Sequence, residues 1–278
     1  MAQFDLPAYL NRIGYARTPQ PDVETLHGLH RAHVRAIPFE NLDIQLGRPI
    51  KLDAGSLQAK LVRRRRGGYC FEQNGLFALA LGSIGFDFET CEARVRQGAQ
   101  GAIRPRTHMV LKVRCGGRDW LADVGFGGDG LIDPAPLEEG VATEQAGVVY
   151  HVIAEGACRV LQRRLSGEWE DLYVVMPDPA HAIDFEVGNW YTSTHPNSAF
   201  VLNLTAQAVI GECRHVLRNL VHSISCGEAL RTREIPRAEL LPLLRGTFGL
   251  DLPEDSTFRA LDAGWFPTTD PADMASAD

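Results

Sequence analysis

Apolar side chains in the first third of the chain recur at helical spacing. Residues 4–14 carry them and stop at Gly14; residues 22–34 form a second amphipathic run whose leading Asp22 can cap it; residues 54–62 form a third. A fourth, mostly apolar run from Tyr69 to Ile84 ends at Gly85. From Phe86 the period drops to two. Residues 88–96, much of 108–124, and runs at 147–154, 158–165 and 170–175 alternate between turn residues, and this predicts an antiparallel sheet or barrel. Beyond Asn189 strand-like and helical segments mix, with a helix expected over 237–248 and a small, polar tail from Thr268 to Asp278 expected to fray. The expected division is 1–85, 86–188 and 189–278: helical, β and mixed.

Composition narrows the function classes. The 278 residues are 45% hydrophobic and 23% charged, ordinary for a water-soluble globular protein, and the net charge of -7 gives no electrostatic reason to expect nucleic acid. No stretch approaches the ~20 uninterrupted apolar residues of a membrane span. The start, Met1-Ala2-Gln3-Phe4-Asp5, lacks the basic and apolar regions of a secretory signal. Six cysteines (Cys70, Cys91, Cys115, Cys158, Cys213 and Cys226) are irregularly spaced with no CxxC pair, so no metal site is expected. The expectation is a reducing cytoplasm with most of these thiols as small buried apolar groups.

One cysteine is placed for chemistry. In Arg66-Gly67-Gly68-Tyr69-Cys70-Phe71-Glu72-Gln73-Asn74, Cys70 lies between a Gly-Gly turn and the start of the fourth helix. Unsatisfied N–H groups and partial positive charge in a first helical turn favour thiolate over thiol, and thiolate is the nucleophile. A histidine and an orienting group should accompany it. The segment 107–124 folds back around Gly116-Gly117 as a two-residue hairpin. With Cys115 facing Arg118, Val110 faces Asp123, so His108 and Asp123 become diagonal neighbours on one face. A one-residue bulge would separate them. Cys70, His108 and Asp123 together suit an acyl-transfer nucleophile, its base and the group that orients the base, with the Cys70 N–H as oxyanion donor. The trio also suits a transglutaminase or a cysteine protease, whereas a redox sensor or binding module built on an activated Cys70 would leave His108 and Asp123 without a purpose.

The motifs resolve the choice. The Cys70 segment, Ile37-Pro38-Phe39-Glu40-Asn41-Leu42, Thr107-His108, Asp123-Val124-Gly125-Phe126-Gly127 and Tyr191-Thr192-Ser193-Thr194-His195-Pro196-Asn197-Ser198-Ala199-Phe200 resemble, in family order, the signature of the arylamine N-acetyltransferases. The resemblance implies an α+β fold of helical bundle, antiparallel β-barrel and α/β lid on a papain- or transglutaminase-like core. It implies ping-pong acetyl transfer from acetyl-CoA to arylamines or hydrazines through Cys70, with no permanently bound cofactor, in a monomer or homodimer. It further implies that Phe39, Val95, Phe126, Gly127 and Phe200 contact substrate, with ordinary core packing as the lesser alternative for Phe39 and Val95.

Two other segments invite a second reading. Gly125-Phe126-Gly127-Gly128-Asp129-Gly130 satisfies GxGxxG literally, but Leu131-Ile132-Asp133-Pro134-Ala135-Pro136 cannot start the helix a dinucleotide needs. Arg63 to Arg65 are expected to be solvated, whereas Arg66 is expected to pair with Glu40 and tether the bundle beneath the nucleophile.

Overall fold

A computed structural model of the chain describes residues 4–164 and 167–264; the expected fraying of 268–278 lies outside them. Two helices begin at aspartate caps: α1 (Leu6–Ile13), where Asp5 accepts the Ala8 N–H, and α2 (Val23–Ala36), where Asp22 accepts that of Thr25. A short strand β1 (Phe39–Glu40) and helices α3 (Leu42–Gln45) and α4 (Ala54–Leu57) follow, and α4 runs on into a π-helical stretch, Gln58–Arg63. Helix α5 (Cys70–Ile84) stops at Gly85, whose φ of 97° suits glycine.

The middle of the chain supplies β2 (Asp87–Val95), β3 (His108–Cys115), β4 (Arg118–Ala122), β5 (Ala135–Pro136), β6 (Thr143–Gln145), β7 (Val148–Glu155), β8 (Cys158–Arg164) and β9 (Glu170–Pro179). They form one antiparallel sheet in the order β5-β4-β3-β2-β9-β8-β7-β6, curled until β5 and β7 touch. Helices α6 (Ala182–Thr194) and α7 (Ala199–Leu202) lead to β10 (Thr205–Ile210), β11 (Cys213–Arg218), β12 (Val221–Cys226) and β13 (Ala229–Glu234), and α8 (Leu240–Phe248) is the last regular element among the described residues. The position expected to separate barrel from lid, 188/189, falls inside α6. The last sheet also takes β1 as its edge strand, beside β10.

The β3–β4 hairpin has the expected register, Cys115 opposite Arg118 and Leu111 opposite Ala122. Its two faces serve two cores. Met109, Leu111, Val113 and Ala122 pack with Phe77 and Ala80 of α5, whereas Val110 and Leu121 pack with Cys91 and Val175 inside the barrel. His108 and Asp123 therefore arise where bundle and barrel meet.

Two expectations need correction. Cys213 and Cys226 form a disulfide: they oppose each other across β11 and β12 with Cα atoms 4.4 Å apart, a proximity set by that hairpin's register. Reading the cysteines as thiols of a reducing compartment fails for this pair, while Cys70, Cys91 and Cys115 are buried thiols and Cys158 a half-buried one. The segment expected as a Gly-Gly turn is instead an extended stretch bridged to β1. Gly67 and Gly68 are buried, and a Cβ on Gly67 would lie 2.1 Å from the Pro38 carbonyl oxygen. Glu40 N–H donates to the Gly68 carbonyl at 3.0 Å, so the segment is pinned to β1. Arg66 joins this junction as expected: its Nε and a terminal nitrogen donate to Glu40 at 3.0 and 2.8 Å, and the latter reaches Asp43 at 3.2 Å. Lys60 bridges Asp43 and Glu72, at 2.7 Å each. Burial alone would raise the Asp43 carboxyl, but Lys60 and Arg66 hold it well below the usual carboxylate range.

Candidate active site

Cys70 is the first residue of α5, so its N–H lies outside the helical ladder. Extended Tyr69 precedes it, and the Glu72 carboxylate accepts the Tyr69 N–H at 3.2 Å, as in a capping box. The thiol is buried and its Sγ lies 3.5 Å from the Thr107 carbonyl oxygen. His108, at the start of β3, and Asp123, just beyond β4, are buried too. The His108 Nε2–H donates to Asp123 Oδ2 at 2.7 Å, which leaves Nδ1 for the sulfur side. Burial alone would push the imidazole down; the Asp123 charge and hydrogen bond, with smaller contributions from Cys70, hold it up to about 10.

Asp123 is fixed from three further directions. Its Oδ1 accepts Asn74 Nδ2–H at 2.8 Å and the Gly125 N–H at 2.9 Å. Its own N–H donates to His30 Nε2 at 3.1 Å, while His30 Nδ1–H donates to the Ile132 carbonyl at 2.8 Å. Burial would raise the Asp123 carboxyl, but His108, Asn74 and Gly125 hold it below its ordinary value. Asn74 also donates to the Met109 carbonyl at 2.7 Å and accepts the Val124 N–H at 3.0 Å, linking α5, β3 and the loop after β4. Glycine is required at 125: a Cβ there would lie 2.7 Å from Asn74 Nδ2 and 2.9 Å from the Cys70 Cα.

Aromatic rings surround this centre. Phe126 meets His108 edge-on with ring centroids 5.3 Å apart. Phe39 and Phe200 lie 5.9 Å apart, and Phe200 meets Tyr69 at 5.6 Å. Phe39, Phe126, Gly127 and Asp123 line one small cavity together with Gln207 of β10. Gly127, at φ 93°, packs so closely under Gln207 that a Cβ would clash with its side chain. Val95 stands further off, opposite Tyr173 on the neighbouring strand. The glycine-rich loop leads into β5 rather than a helix.

Four residues around the centre carry roles that the sequence alone does not assign. Tyr173 is fully buried, with its ring 4.9 Å from that of His108 and 5.1 Å from that of Phe126; its hydroxyl makes no hydrogen bond among the described residues. Its inward position on an alternating strand is the signal that could have found it. Asn74 stood within the Cys70 motif. His30 and His33 occupy the buried stripe of α2 with Leu26 and Leu29, a spacing visible in the sequence. Among the described residues no group of three or more His, Cys, Asp or Glu could hold a metal ion, and no helix is long and apolar enough to cross a membrane.

Known proteins share this architecture. The model of a family described as N-acetyltransferase matches residues 22–257. The chain is 43% identical over 256 residues to the arylamine N-acetyltransferase of Mycolicibacterium smegmatis, covering 89% of this chain and 92% of that protein. It is 37% identical to a Salmonella typhimurium protein named arylamine N-acetyltransferase / N-hydroxyarylamine O-acetyltransferase, over 88% of each chain. The solved structure of Mycobacterium marinum arylamine N-acetyltransferase in complex with CoA matches with a TM-score of 0.85 at 37% identity, covering 88% of this chain and 92% of that one.

Proposed function

The chain belongs to the arylamine N-acetyltransferase family, and from that premise we propose that it carries acetyl from acetyl-CoA to the nitrogen of arylamines, arylhydrazines or hydrazides by way of an acetyl-cysteine at Cys70. The carrying observation is the buried 2.7 Å hydrogen bond between His108 and Asp123 beside a cysteine at a helix start. With Nε2 given to Asp123, His108 takes the Cys70 proton on Nδ1, and the raised imidazole favours an imidazolium–thiolate pair.

The Cys70 thiolate attacks the thioester carbonyl, and its backbone N–H receives the developing oxyanion. The C–S bond to CoA breaks and the CoA sulfur takes the proton from His108. The amine nitrogen then attacks the acetyl-cysteine and gives its proton to His108. The amide leaves and Cys70 departs as thiolate. The two half-reactions share one acyl-enzyme, which makes the kinetics ping-pong. Phe39, Phe126 and Phe200, with Gly127 beside them and Val95 further off, are the residues assigned to a flat acceptor, where ring-on-ring contact adds to burial.

Incubation with acetyl-CoA followed by intact-mass measurement tests the reading. One acetyl group should appear on Cys70, disappear on adding an aniline, and be absent from Cys70→Ser. Transfer without such an adduct, or near-normal turnover by Cys70→Ser, would overturn it.

A further inference from the structure

The barrel interior continues beyond His108 and Asp123. On the same inward face follow Val110 and Lys112 of β3, Leu121 and Asp119 of β4, Cys91 of β2 and Val175 of β9. The β2–β9 ladder breaks at this level: Ala93 faces Val175 but Cys91 faces Pro179, so Met176, Pro177 and Asp178 bulge from the wall. The opening leads into a cavity of about 290 Å³ with Cys91, Val110, Leu121 and Val175 among its walls, and none of Cys70, His108 or Phe126 borders it. Its volume is near the lower end, ~300 Å³, of pockets that hold small molecules.

The charges on its lining are unequal in their pairing. Lys112 lies 3.4 Å from Asp119 and 3.6 Å from Glu89, and Arg118 pairs with Glu138 at 2.6 Å. Arg159 differs. It stands opposite Val175 on the inward face of β8, and among the described residues its hydrogen bond goes to the Cys158 carbonyl, with no carboxylate in ion-pair reach. An inward guanidinium over an apolar floor matches a ligand with a planar anionic head and an apolar body. Asp119 and Glu138 on the same lining disfavour a dianion.

We propose that this cavity binds a small amphipathic monocarboxylate, its apolar body against Val110, Leu121 and Val175 and its carboxylate on Arg159. The site lies one step along the strands from His108, Asp123 and Tyr173, yet is separate from the proposed acetyl-transfer centre and does not depend on that reading.

Titration calorimetry with phenylbutyrate on the full chain, Cys70 carbamidomethylated, tests it. One saturable site is expected. Arg159→Met, which keeps the apolar stem, should weaken binding about tenfold or more, as should replacing the probe by uncharged phenylbutanol. Ala157→Trp, in the exposed β7–β8 turn that borders the cavity, should weaken it without touching the floor and serves should Arg159→Met fail to fold. Absence of saturable binding, alcohol binding as tight as the acid, or binding that both variants leave unchanged would overturn the proposal.

Discussion

The buried histidines of α2 and the buried histidine of β3 share a residue type and near-total burial but not a charge. His30 and His33 are pushed down, to about 4 and about 3, chiefly by burial. His108 is no more exposed in any useful sense, at 3%, yet is held up to about 10. The difference lies in what each ring faces. His30 must accept the Asp123 N–H, and His33 accepts from the Tyr9 hydroxyl at 2.9 Å while donating to Gln73 at 2.7 Å, so each is fixed as a neutral tautomer. His108 faces a carboxylate and a thiol. Burial sets the cost of charge, and the partner decides whether that cost is met.

Asp123→Asn breaks the contrast at its strongest point. It should lower acetyl-transfer kcat/KM by about 10⁴-fold, as removing the orienting carboxylate does in comparable triads. NMR titration should find the His108 imidazole far below its present value.

The two classes of histidine should also give opposite pH slopes in denaturant titrations. Unfolded His30 takes a proton near 6.5 but folded His30 only at about 4, so stability falls as pH drops through that window, by roughly 3 kcal/mol. His108 holds its proton to about 10 when folded, so its contribution is complete below 6.5 and lost as pH rises through 10. His30→Asn should make the acid limb shallower, with His33 still contributing to it, and His108→Asn should do the same to the alkaline limb.

At neutral pH, His30→Asn leaves the Asp123 N–H without its acceptor. Urea unfolding should register a loss of about 1–3 kcal/mol. The smallest effect concerns the bundle's charge cluster, where buried ions are paired rather than neutral. Glu40→Ala and Arg66→Ala should be non-additive by at least about 0.5 kcal/mol in a double-mutant cycle. Simple additivity would mean that their 2.8 Å contact carries no coupling.

How much was legible follows the range of the interactions. Turn length and strand parity placed His108 against Asp123, because a hairpin is decided within about fifteen residues of chain. Aspartate caps and terminal glycines marked α1, α2 and α5 for the same reason. The Cys213–Cys226 bond escaped because it needs the β11–β12 register, which the mixed pattern beyond Asn189 did not reveal. The meaning of Gly67 escaped because its close neighbour, the Pro38 carbonyl, is recognisable only once β1 is laid beside the Cys70 segment. Tyr173 and His30 stood in readable alternation or helical stripes, but only their three-dimensional neighbours give them a role.

The pairing of β1 with β10 carries a consequence for synthesis. Phe39 and Glu40 leave the ribosome more than 160 residues before their ladder partners Gln207 and Ala206. Until then the strand edge beside Gly67-Gly68 is open and Phe39 has no Phe200 to rest against. A nascent chain truncated before β10 would therefore display Cys70 on an unfinished wall, and the aromatic pocket matures only once Phe200 and β10 have been made.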